Sequence, residues 1–416
     1  MLKSSLGFHT MTLDMSLLEA DTKKLLLDFM KYGKTTALKM YQYKDGKYIT
    51  YYPSPDYLPT DFKIYLEGRY RGIHWHIYSD DHFSGMVYII EAIINPKILA
   101  GIIDYLTASN LCELNMAIVN FNCESRKISS LLGTFFDYKI KRIDYCINIC
   151  LDDFTPVYDP EQIMNLIKRS DIPPHYEEWM EYDDTSHRKK SRPESFYLCS
   201  KSVNINYYSK YLQLLNCSQK NVEKGHAPIP QEIIDASRGI IRFEVQFKYF
   251  KTYALSKSAE DAGDHDRNKY QSLLHPVTCI KNVSDYYIKV VGRGDWYTLH
   301  EAICIIHSKN FNSQRQKRLD DALLLVSQSR SIAKAKASLQ GYELKVFKRT
   351  LIELSDLGIN PVTIPREWGI RHIPNLLRAF FDRLCLEYSN HGFDEVNFYT
   401  YDSYLNYCKI FKHPPI

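Results

Sequence analysis

The chain has 416 residues, of which 45% are apolar and 25% charged, so its composition is that of a globular protein and excludes the fibrous and disordered classes. A chain of this length can bury the cores of two or three domains. The net charge of +4 is small, but residues 311–350 carry nine Lys or Arg against three acidic residues, a local net charge of +6.

Three sequence features bear on the compartment. The longest apolar stretch, residues 87–106, contains Glu91, Pro96 and Lys97, which are costly in a bilayer core. The first eleven residues hold no apolar run of the secretory type. Ten cysteines occur without a CxxC pair, which fits neither a zinc ribbon nor a disulfide framework. We therefore expect a cytoplasmic protein with reduced thiols and no membrane association.

The first half of the chain mixes predicted strands with two predicted helices. Apolar spacing predicts helices at roughly 16–32, capped by Ser16, and at 87–108. Alternating residues predict strands in "GIHWHIYS", "KIKRIDYCINICLDD", "SFYLCSKS", "VNINYYSKY" and "GIIRFEVQFKYF". Residues 172–195 are poor in aliphatic residues and rich in charge and proline, which predicts a surface loop or flap.

From about residue 276 the pattern becomes helical. We predict an α+β fold with a mainly antiparallel central sheet in residues 1–255, a linker at 256–275, and a mostly α-helical basic domain in 276–416. Residues 346–381 offer two interpretations. A turn at Leu357–Gly358 between two helices would make a helix-turn-helix, whereas prolines at 361, 365 and 374 favour a plain helical bundle.

Two predicted strands have the same pattern. On one face an Arg precedes a carboxylate by two positions, and the other face is apolar. Successive side chains of a strand point to opposite faces. The apolar faces are Ile143, Tyr145, Ile147 and Ile149 in one strand and Phe243, Val245, Phe247 and Tyr249 in the other. The opposite faces are Arg142, Asp144, Cys146 and Asn148, and Arg242, Glu244, Gln246 and Lys248. A solvated face of salt-bridged pairs is the alternative to a functional one.

A histidine strand and a tyrosine strand add candidate groups. His74 and His76 share a face of "GIHWHIYS", and two imidazoles at this spacing can reach one metal ion. In the tyrosine strand, alternation puts Tyr207 with the core residues and Tyr208 on the polar side, with Lys210 on that side if the strand continues.

Four segments, "RGIHWHIYSDDHFSG", "IKRIDYCINICLDD", "SFYLCSKSVNINYYSKY" and "IIRFEVQFKY", carry a resemblance over about residues 70–250. In this order they resemble the trans-acting replication initiators of rolling-circle plasmids and integrative mobile elements, a family related to conjugative relaxases and more distantly to HUH endonucleases. Its pattern is a GxH strand, an R-[IL]-D strand, a tyrosine strand ending in YDK, and an R-x-E-x-[QE] strand. Here "YYSK" replaces the YDK end, "LCSKS" lacks the glycine before the serine, and His76 completes a literal HUH triplet.

The resemblance implies a role for each matching residue. Tyr208 would be the nucleophile of a site-specific nick at an origin, leaving a 5′-phosphotyrosine and a free 3′ hydroxyl before religation. Tyr207 stays an alternative, because Tyr207 to Lys210 reads as the YxxK of other HUH enzymes. Lys210 or Arg242 would stabilise the phenolate or clamp the phosphate. Asp144, Glu244, His74 and His76 would bind Mg²⁺ or Mn²⁺.

DNA is the expected partner in two forms. Single-stranded DNA at the nick would contact Lys201, Lys248 and Tyr249, with Arg188, Lys189 and Lys190 of the flap. Duplex origin DNA would contact the basic helices through Arg315, Lys317, Arg318, Lys345, Lys348 and Arg349. A host helicase and a second copy of the chain are candidate partners that the sequence leaves open.

Three alternatives compete with a replication initiator. A conjugative relaxase uses the same chemistry, and the sequence does not separate the two. A noncatalytic DNA-binding protein with a degenerate nuclease domain is less consistent with the presence of the whole candidate set. A metallohydrolase barrel needs a repeating strand–helix pattern, which is absent.

Overall fold

A computed structural model describes residues 5–32, 38–44, 47–51, 61–66, 72–79, 87–102, 104, 106–183, 188–190, 194–223, 225, 227–261, 273–274 and 276–378. Among the helices of these residues, none combines the length and apolar character needed to cross a bilayer.

An eleven-stranded antiparallel sheet forms the centre of the fold. Its strands, in chain order, are β1 (Ser5–Leu18), β2 (Leu38–Lys44), β3 (Lys47–Tyr51), β4 (Asp61–Leu66), β5 (Ile73–Ser79), β6 (Val87–Ile94), β7 (Lys139–Cys150), β8 (Glu177–Glu178), β11 (Ser195–Cys199), β12 (Val203–Ser209) and β13 (Ile240–Phe247). In space they run β3-β2-β4-β5-β6-β1-β7-β13-β12-β11-β8. Two small pairs lie outside it, β9 (Glu181–Asp183) with β10 (Arg188–Lys190), and β14 (Trp296–Tyr297) with β15 (His372–Ile373).

Helices lie between the strands and follow them. The described α-helices are α1 (Glu19–Tyr32), α2 (Pro96–Leu99), α3 (Leu111–Ile128), α4 (Pro160–Lys168), α5 (Lys210–Glu223), α6 (Gln231–Ala236), α7 (Tyr249–Asp261), α8 (Pro276–Val290), α9 (Leu299–His307), α10 (Ser313–Ser329), α11 (Ile332–Ala337) and α12 (Gly341–Asp356). The predicted α+β class, with a large antiparallel sheet followed by helices, is confirmed.

The predicted helix at 87–108 is wrong. Residues 87–94 form β6, in which buried and half-buried side chains alternate, and only the short α2 follows. Apart from Glu91, both faces of β6 carry apolar residues, so the sequence shows no alternation of apolar and polar residues and resembles a buried helix. The helix predicted from residue 16 begins at Glu19, because residues 16–18 still belong to β1.

Two strands also end earlier than the sequence predicted. β13 stops at Phe247, so Tyr249 begins α7 and is about half exposed rather than buried. β12 stops at Ser209, so Lys210 begins α5. After α12 the chain forms a loop, a 3₁₀ turn at Arg366–Trp368 and β15, so residues 359–375 contain no second helix of a helix-turn-helix.

One continuous hydrophobic core joins the sheet to the following helices. The ring of Tyr287 in α8 contacts the rings of Tyr207 and Phe243, with centroids 6.0 and 5.7 Å apart. The hydroxyl of Tyr145 in β7 donates a 2.7 Å hydrogen bond to the carbonyl of Leu273. The first helix assigned to the C-terminal domain therefore packs in the core of the sheet, while the division at 256–275 stays a prediction.

Candidate active site

The polar faces of three neighbouring strands meet in the middle of the sheet. Across β7, β13 and β12, Asn148 pairs with Arg242 and Arg242 with Tyr208. In the next row Cys146 pairs with Glu244 and Glu244 with Asn206. Asn148 and Arg242 are at most 2% exposed, so this face is buried and is not a solvated surface of ion pairs.

Tyr208 and Glu244 are joined directly. The Tyr208 hydroxyl donates a 2.7 Å hydrogen bond to Oε1 of Glu244. Burial, and then the negative charge of Glu244, raise the pKa of the Tyr208 phenol well above its usual value. Burial alone would raise the pKa of Glu244, but His9, Arg242 and the hydrogen bond from Tyr208 lower it overall. At neutral pH the pair is therefore a phenol bonded to a carboxylate.

Arg242 is held rigidly behind this pair. Its Nε donates a 2.6 Å hydrogen bond to Oδ1 of Asn148, Nη2 donates to the carbonyl of Thr107 at 3.5 Å, and Nη1 lies 3.7 Å from Oε1 of Glu244. The amide of Asn148 in turn donates to the carbonyl of Leu106. A buried guanidinium fixed in this way supplies a preorganised positive charge beside the carboxylate.

The loop that supplies these carbonyls crosses close over β1. Ser109 exchanges two backbone hydrogen bonds with Phe8, of 2.9 and 3.1 Å. A Cβ on Gly7 would lie only 1.9 Å from the Ser109 carbonyl oxygen, so the approach requires glycine at this position. Gly7 therefore permits the contact that brings Leu106 and Thr107 to the site.

His9 is a site residue that the sequence reasoning missed. It lies in a β-bulge of β1, where the pairing with β7 shifts between Phe8 and Met11, and its Nδ1 is 3.3 Å from Oε1 of Glu244. Burial lowers its pKa to about 4, with Glu244 opposing and Arg242 adding to the shift, so the imidazole is neutral at pH 7. "GFHTM" contains a Gly-x-His triplet, Gly7–Phe8–His9, like the one at Gly72–His74, so the pattern alone does not distinguish the two histidines, and the strand order brings His9 to Glu244.

Lys210 lies on the same side as Tyr208. It is 4% exposed, at the start of α5, and its Nζ donates a 2.9 Å hydrogen bond to Oε1 of Gln213. Burial and the charge of Arg242 lower its pKa to about 7. The site therefore holds a second cationic group whose charge changes near neutrality.

Tyr207 points the other way. It is fully buried, and its ring stacks on Phe243 with centroids 4.4 Å apart. Its hydroxyl has no hydrogen-bond partner among the described residues. The structure therefore separates the two tyrosines, with Tyr208 at the polar site and Tyr207 in the core.

The four predicted metal ligands are not brought together. β5, which carries His74 and His76, is three strands away from β7, a separation of roughly 14 Å at the usual strand spacing. His76 Nδ1 lies 3.4 Å from Oε2 of Glu91 instead. Within the described ranges, no group of three or more His, Cys, Asp or Glu is arranged to hold a metal ion.

The carboxylate of Asp144 forms an ion pair with a neighbouring arginine. Arg142 binds it in a bidentate pair, with Nε and Nη2 at 2.9 and 2.6 Å from the two carboxylate oxygens. Burial raises the pKa of Asp144 to about 6, although the bonds to Arg142 oppose the shift. Asp144 lies two positions along β7 from Cys146, one row beyond Glu244.

A cleft of about 600 Å³ opens beside Tyr208, His9 and Glu244. Its wall is rich in carboxylates and carboxamides and poor in cations. The acids are Glu181, Glu194, Glu223 and Glu244, the carboxamides Asn206, Gln213, Asn216 and Gln219, and the cation is Lys220. Glu181 comes from β9, so the predicted flap forms a short hairpin that contributes to this wall.

The predicted DNA-contacting residues beside β12 and β13 and on α10 and α12 do not line this cleft, whereas the backbone of Lys190 in β10 pairs with Glu181 of its wall. Lys201 and Lys248 are at the opposite ends of β12 and β13 from Tyr208. Arg315 and Arg318 of α10 both bind the carboxylate of Glu353 in α12. Four others are exposed on the same two helices, Lys317, Lys345, Lys348 and Arg349. The backbones of Arg188, Lys189 and Lys190 form β10.

Comparisons with known proteins add little to this geometry. No protein-family model and no curated protein sequence matches the chain. The chain is similar to the solved rolling circle replication initiator protein from Geobacillus stearothermophilus, at 12% sequence identity over 62% of this chain and 80% of that chain, with a TM-score of 0.26. A likeness of this size carries no argument, so the function has to be inferred from the residues and their arrangement.

Proposed function

We propose that the protein nicks and rejoins single-stranded DNA through Tyr208, as a rolling-circle replication initiator. The observation that carries the proposal is the hydrogen bond from the buried Tyr208 hydroxyl to Glu244, with Arg242 and His9 around the same carboxylate, at the wall of an open cleft. The four sequence segments that resemble the initiator family contribute three of these four residues.

The chemistry is a transesterification. The phenolic proton of Tyr208 passes to Glu244 as the phenolic oxygen bonds to phosphorus, and the bond from phosphorus to the 3′ oxygen breaks. The 3′ oxygen takes a proton from water, and the proton that Glu244 releases neutralises the hydroxide formed, which leaves a 3′ hydroxyl, a 5′-phosphotyrosine and the Glu244 carboxylate. Religation is the reverse reaction. Arg242 and Lys210 stabilise the negative charge that grows on the phosphate and the phenolic oxygen.

We also propose that the site binds a divalent ion, with fewer protein ligands than the four that the sequence predicted. His9 and Glu244 offer two donors beside Tyr208, and Mg²⁺ commonly binds one or two carboxylates with substrate phosphate and water completing its shell. Bound there, Mg²⁺ or Mn²⁺ would polarise the scissile phosphate. Asp144, held by Arg142, supports the site from the next row.

The charge of the cleft suggests how a strand lies in it. Four glutamates would repel phosphates, whereas carboxamides form hydrogen bonds with base edges. We place the bases next to the nick against α5 and the scissile phosphate toward Tyr208 and Arg242. Origin duplex would contact the exposed lysines and arginine of α10 and α12.

The test is a covalent-adduct assay. Labelled single-stranded oligonucleotides tiled across the origin of the protein's own element are incubated with the protein and Mn²⁺, and label on the protein is read from a denaturing gel. We expect an adduct with the parent protein and with Tyr207→Phe, and none with Tyr208→Phe. Origin binding without any adduct would favour a noncatalytic DNA-binding protein, and an adduct lost only in Tyr207→Phe would move the nucleophile.

A further inference from the structure

An exposed aromatic cluster lies at the start of α7, directly after β13. Tyr249, Phe250 and Tyr253 are 49%, 53% and 55% exposed. The rings of Tyr249 and Tyr253 stack with centroids 5.9 Å apart, and Phe250 meets Tyr249 edge to face at 5.7 Å. Exposed large apolar side chains that touch one another mark an interaction surface more often than isolated ones.

Two lysines border these rings. The Nζ of Lys201 lies 4.8 Å from the centroid of the Phe250 ring, and Lys248 Nζ donates a 2.8 Å hydrogen bond to the carbonyl of Ser200. Lys251 does not belong to this group, because its Nζ lies 5.5 Å from the centroid of the buried Phe247 ring. Lys201 and Lys248 therefore place positive charge beside the exposed rings.

This surface is separate from the active-site cleft. Lys201 and Lys248 flank the β12 and β13 ends at Val203 and Phe247, whereas Tyr208 and Arg242 pair at the opposite ends. Tyr208 is five residue steps along β12 from Val203, which is about 17 Å at the usual rise per residue. The residues that line the cleft do not include Tyr249, Phe250, Tyr253, Lys201 or Lys248.

We propose that the α7 surface, comprising Tyr249, Phe250, Tyr253, Lys201 and Lys248, binds single-stranded nucleic acid through base stacking and phosphate contacts. Aromatic rings bordered by lysines match unpaired bases on a charged backbone, whereas duplex bases are not free to stack on side chains. The positive charge argues for a polyanion over an apolar protein partner. The inference extends the proposed function, since nicking frees a single strand close to this surface.

The test measures binding apart from nicking. Full-length Tyr208→Phe protein is titrated without metal into labelled oligothymidine, and anisotropy gives the dissociation constant over a range of salt concentrations. Phe250→Ala with Tyr253→Ala should weaken binding at least tenfold with an unchanged salt slope. Lys201→Gln with Lys248→Gln should make the slope shallower by about 1.4, at roughly 0.7 for each phosphate that no longer meets a lysine. Tyr253→Trp should keep or strengthen binding, which separates stacking from damage to the fold.

Tyr342→Ala is the matched control, because Tyr342 is an aromatic residue 80% exposed on α12. Equal binding by the Phe250/Tyr253 variant and its parent would overturn the proposal, as would equal losses in that variant and in Tyr342→Ala. In a competition titration, tighter binding of polyglutamate than of unlabelled oligothymidine would also overturn it and assign the surface to an acidic protein. The nicking proposal is tested separately, by forming covalent adducts with the protein that retains Tyr208. Adduct formation can succeed or fail whether or not the α7 surface binds oligothymidine.

Discussion

The Tyr208 hydroxyl reaches Glu244 diagonally across β12 and β13, at 2.7 Å, although the two residues are not paired in the ladder. Tyr208 pairs with Arg242, and Glu244 pairs with Asn206. The diagonal places the acceptor carboxylate between the phenol, the imidazole of His9 and the guanidinium of Arg242. The proposed function depends on this one carboxylate, and its neighbours give separate tests.

His9 and His74 distinguish the two possible metal sites. His9→Ala should slow adduct formation about a hundredfold and raise the Mn²⁺ concentration needed for half-maximal rate, because Glu244 loses its neighbouring donor. His74→Ala should change neither, since β5 lies three strands from β7. Single-turnover rates across a Mn²⁺ titration measure both. A metal requirement altered by His74→Ala and not by His9→Ala would restore the histidine-strand site.

Arg242 should contribute strongly to stability. Arg242→Met leaves Glu244 and Asn148 without their buried partner, so the free energy of unfolding should fall by about 3–5 kcal/mol. Arg238→Met is the control, because Arg238 forms a surface pair with Asp235 and should change stability little. Urea denaturation of both variants measures the difference. Equally small losses of unfolding free energy in the two variants would contradict the role of Arg242 as the buried partner of Glu244 and Asn148.

Lys210 should make stability depend on pH above neutrality. Its pKa is about 7 in the folded protein and near 10.5 when exposed, so between these values the unfolded chain binds more protons than the folded one. The free energy of unfolding should therefore rise with pH from about 7 toward 10, by at most about 1.4 kcal/mol per pH unit from this group. Lys210→Met should remove that rise and raise stability below pH 7. Parallel stability curves for parent and variant would contradict the burial of this charge.

The carboxamides of α5 should set base preference. Asn216→Ala with Gln219→Ala should flatten the preference at bases beside the nick without changing the salt dependence of binding, because side chains that read base edges neutralise no phosphate. Sequencing of adducts formed on oligonucleotides randomised around the nick measures the preference. Gln231→Ala, on α6 and outside the cleft, is the control. A changed salt dependence of binding with an unchanged base preference would mean that these side chains contact the sugar-phosphate backbone of the DNA and not the bases.

Much of the central sheet could be predicted from the sequence. β7, β12 and β13 each have a strictly alternating apolar face, and so Tyr208, Arg242 and Glu244 could be assigned to one polar side before strand order was known. β6 could not be separated from a helix, because seven of its eight residues are apolar and its half-buried face has little polar character in the sequence.

Which residues meet at the site depends on the order of the strands in the sheet. The local sequence pattern of a strand does not encode that order. His74 and His76 had the motif, but β6 and β1 lie between them and β7. His9 also ends a Gly-x-His triplet, and it reaches Glu244 because β1 pairs with β7 and bulges at that point. The end of β12 at Ser209 likewise turned Lys210 from a strand residue into the first residue of α5.

The most direct test of the central claim is to identify the residue that carries the nucleotide. The covalent adduct formed with Mn²⁺ is digested with nuclease and protease, and the modified peptide is sequenced by mass spectrometry. We predict a nucleotide mass on Tyr208, within the peptide spanning β12 and the start of α5. A nucleotide on Tyr207, on Tyr211 or on a residue outside β12 would contradict the role given to the Tyr208–Glu244 pair.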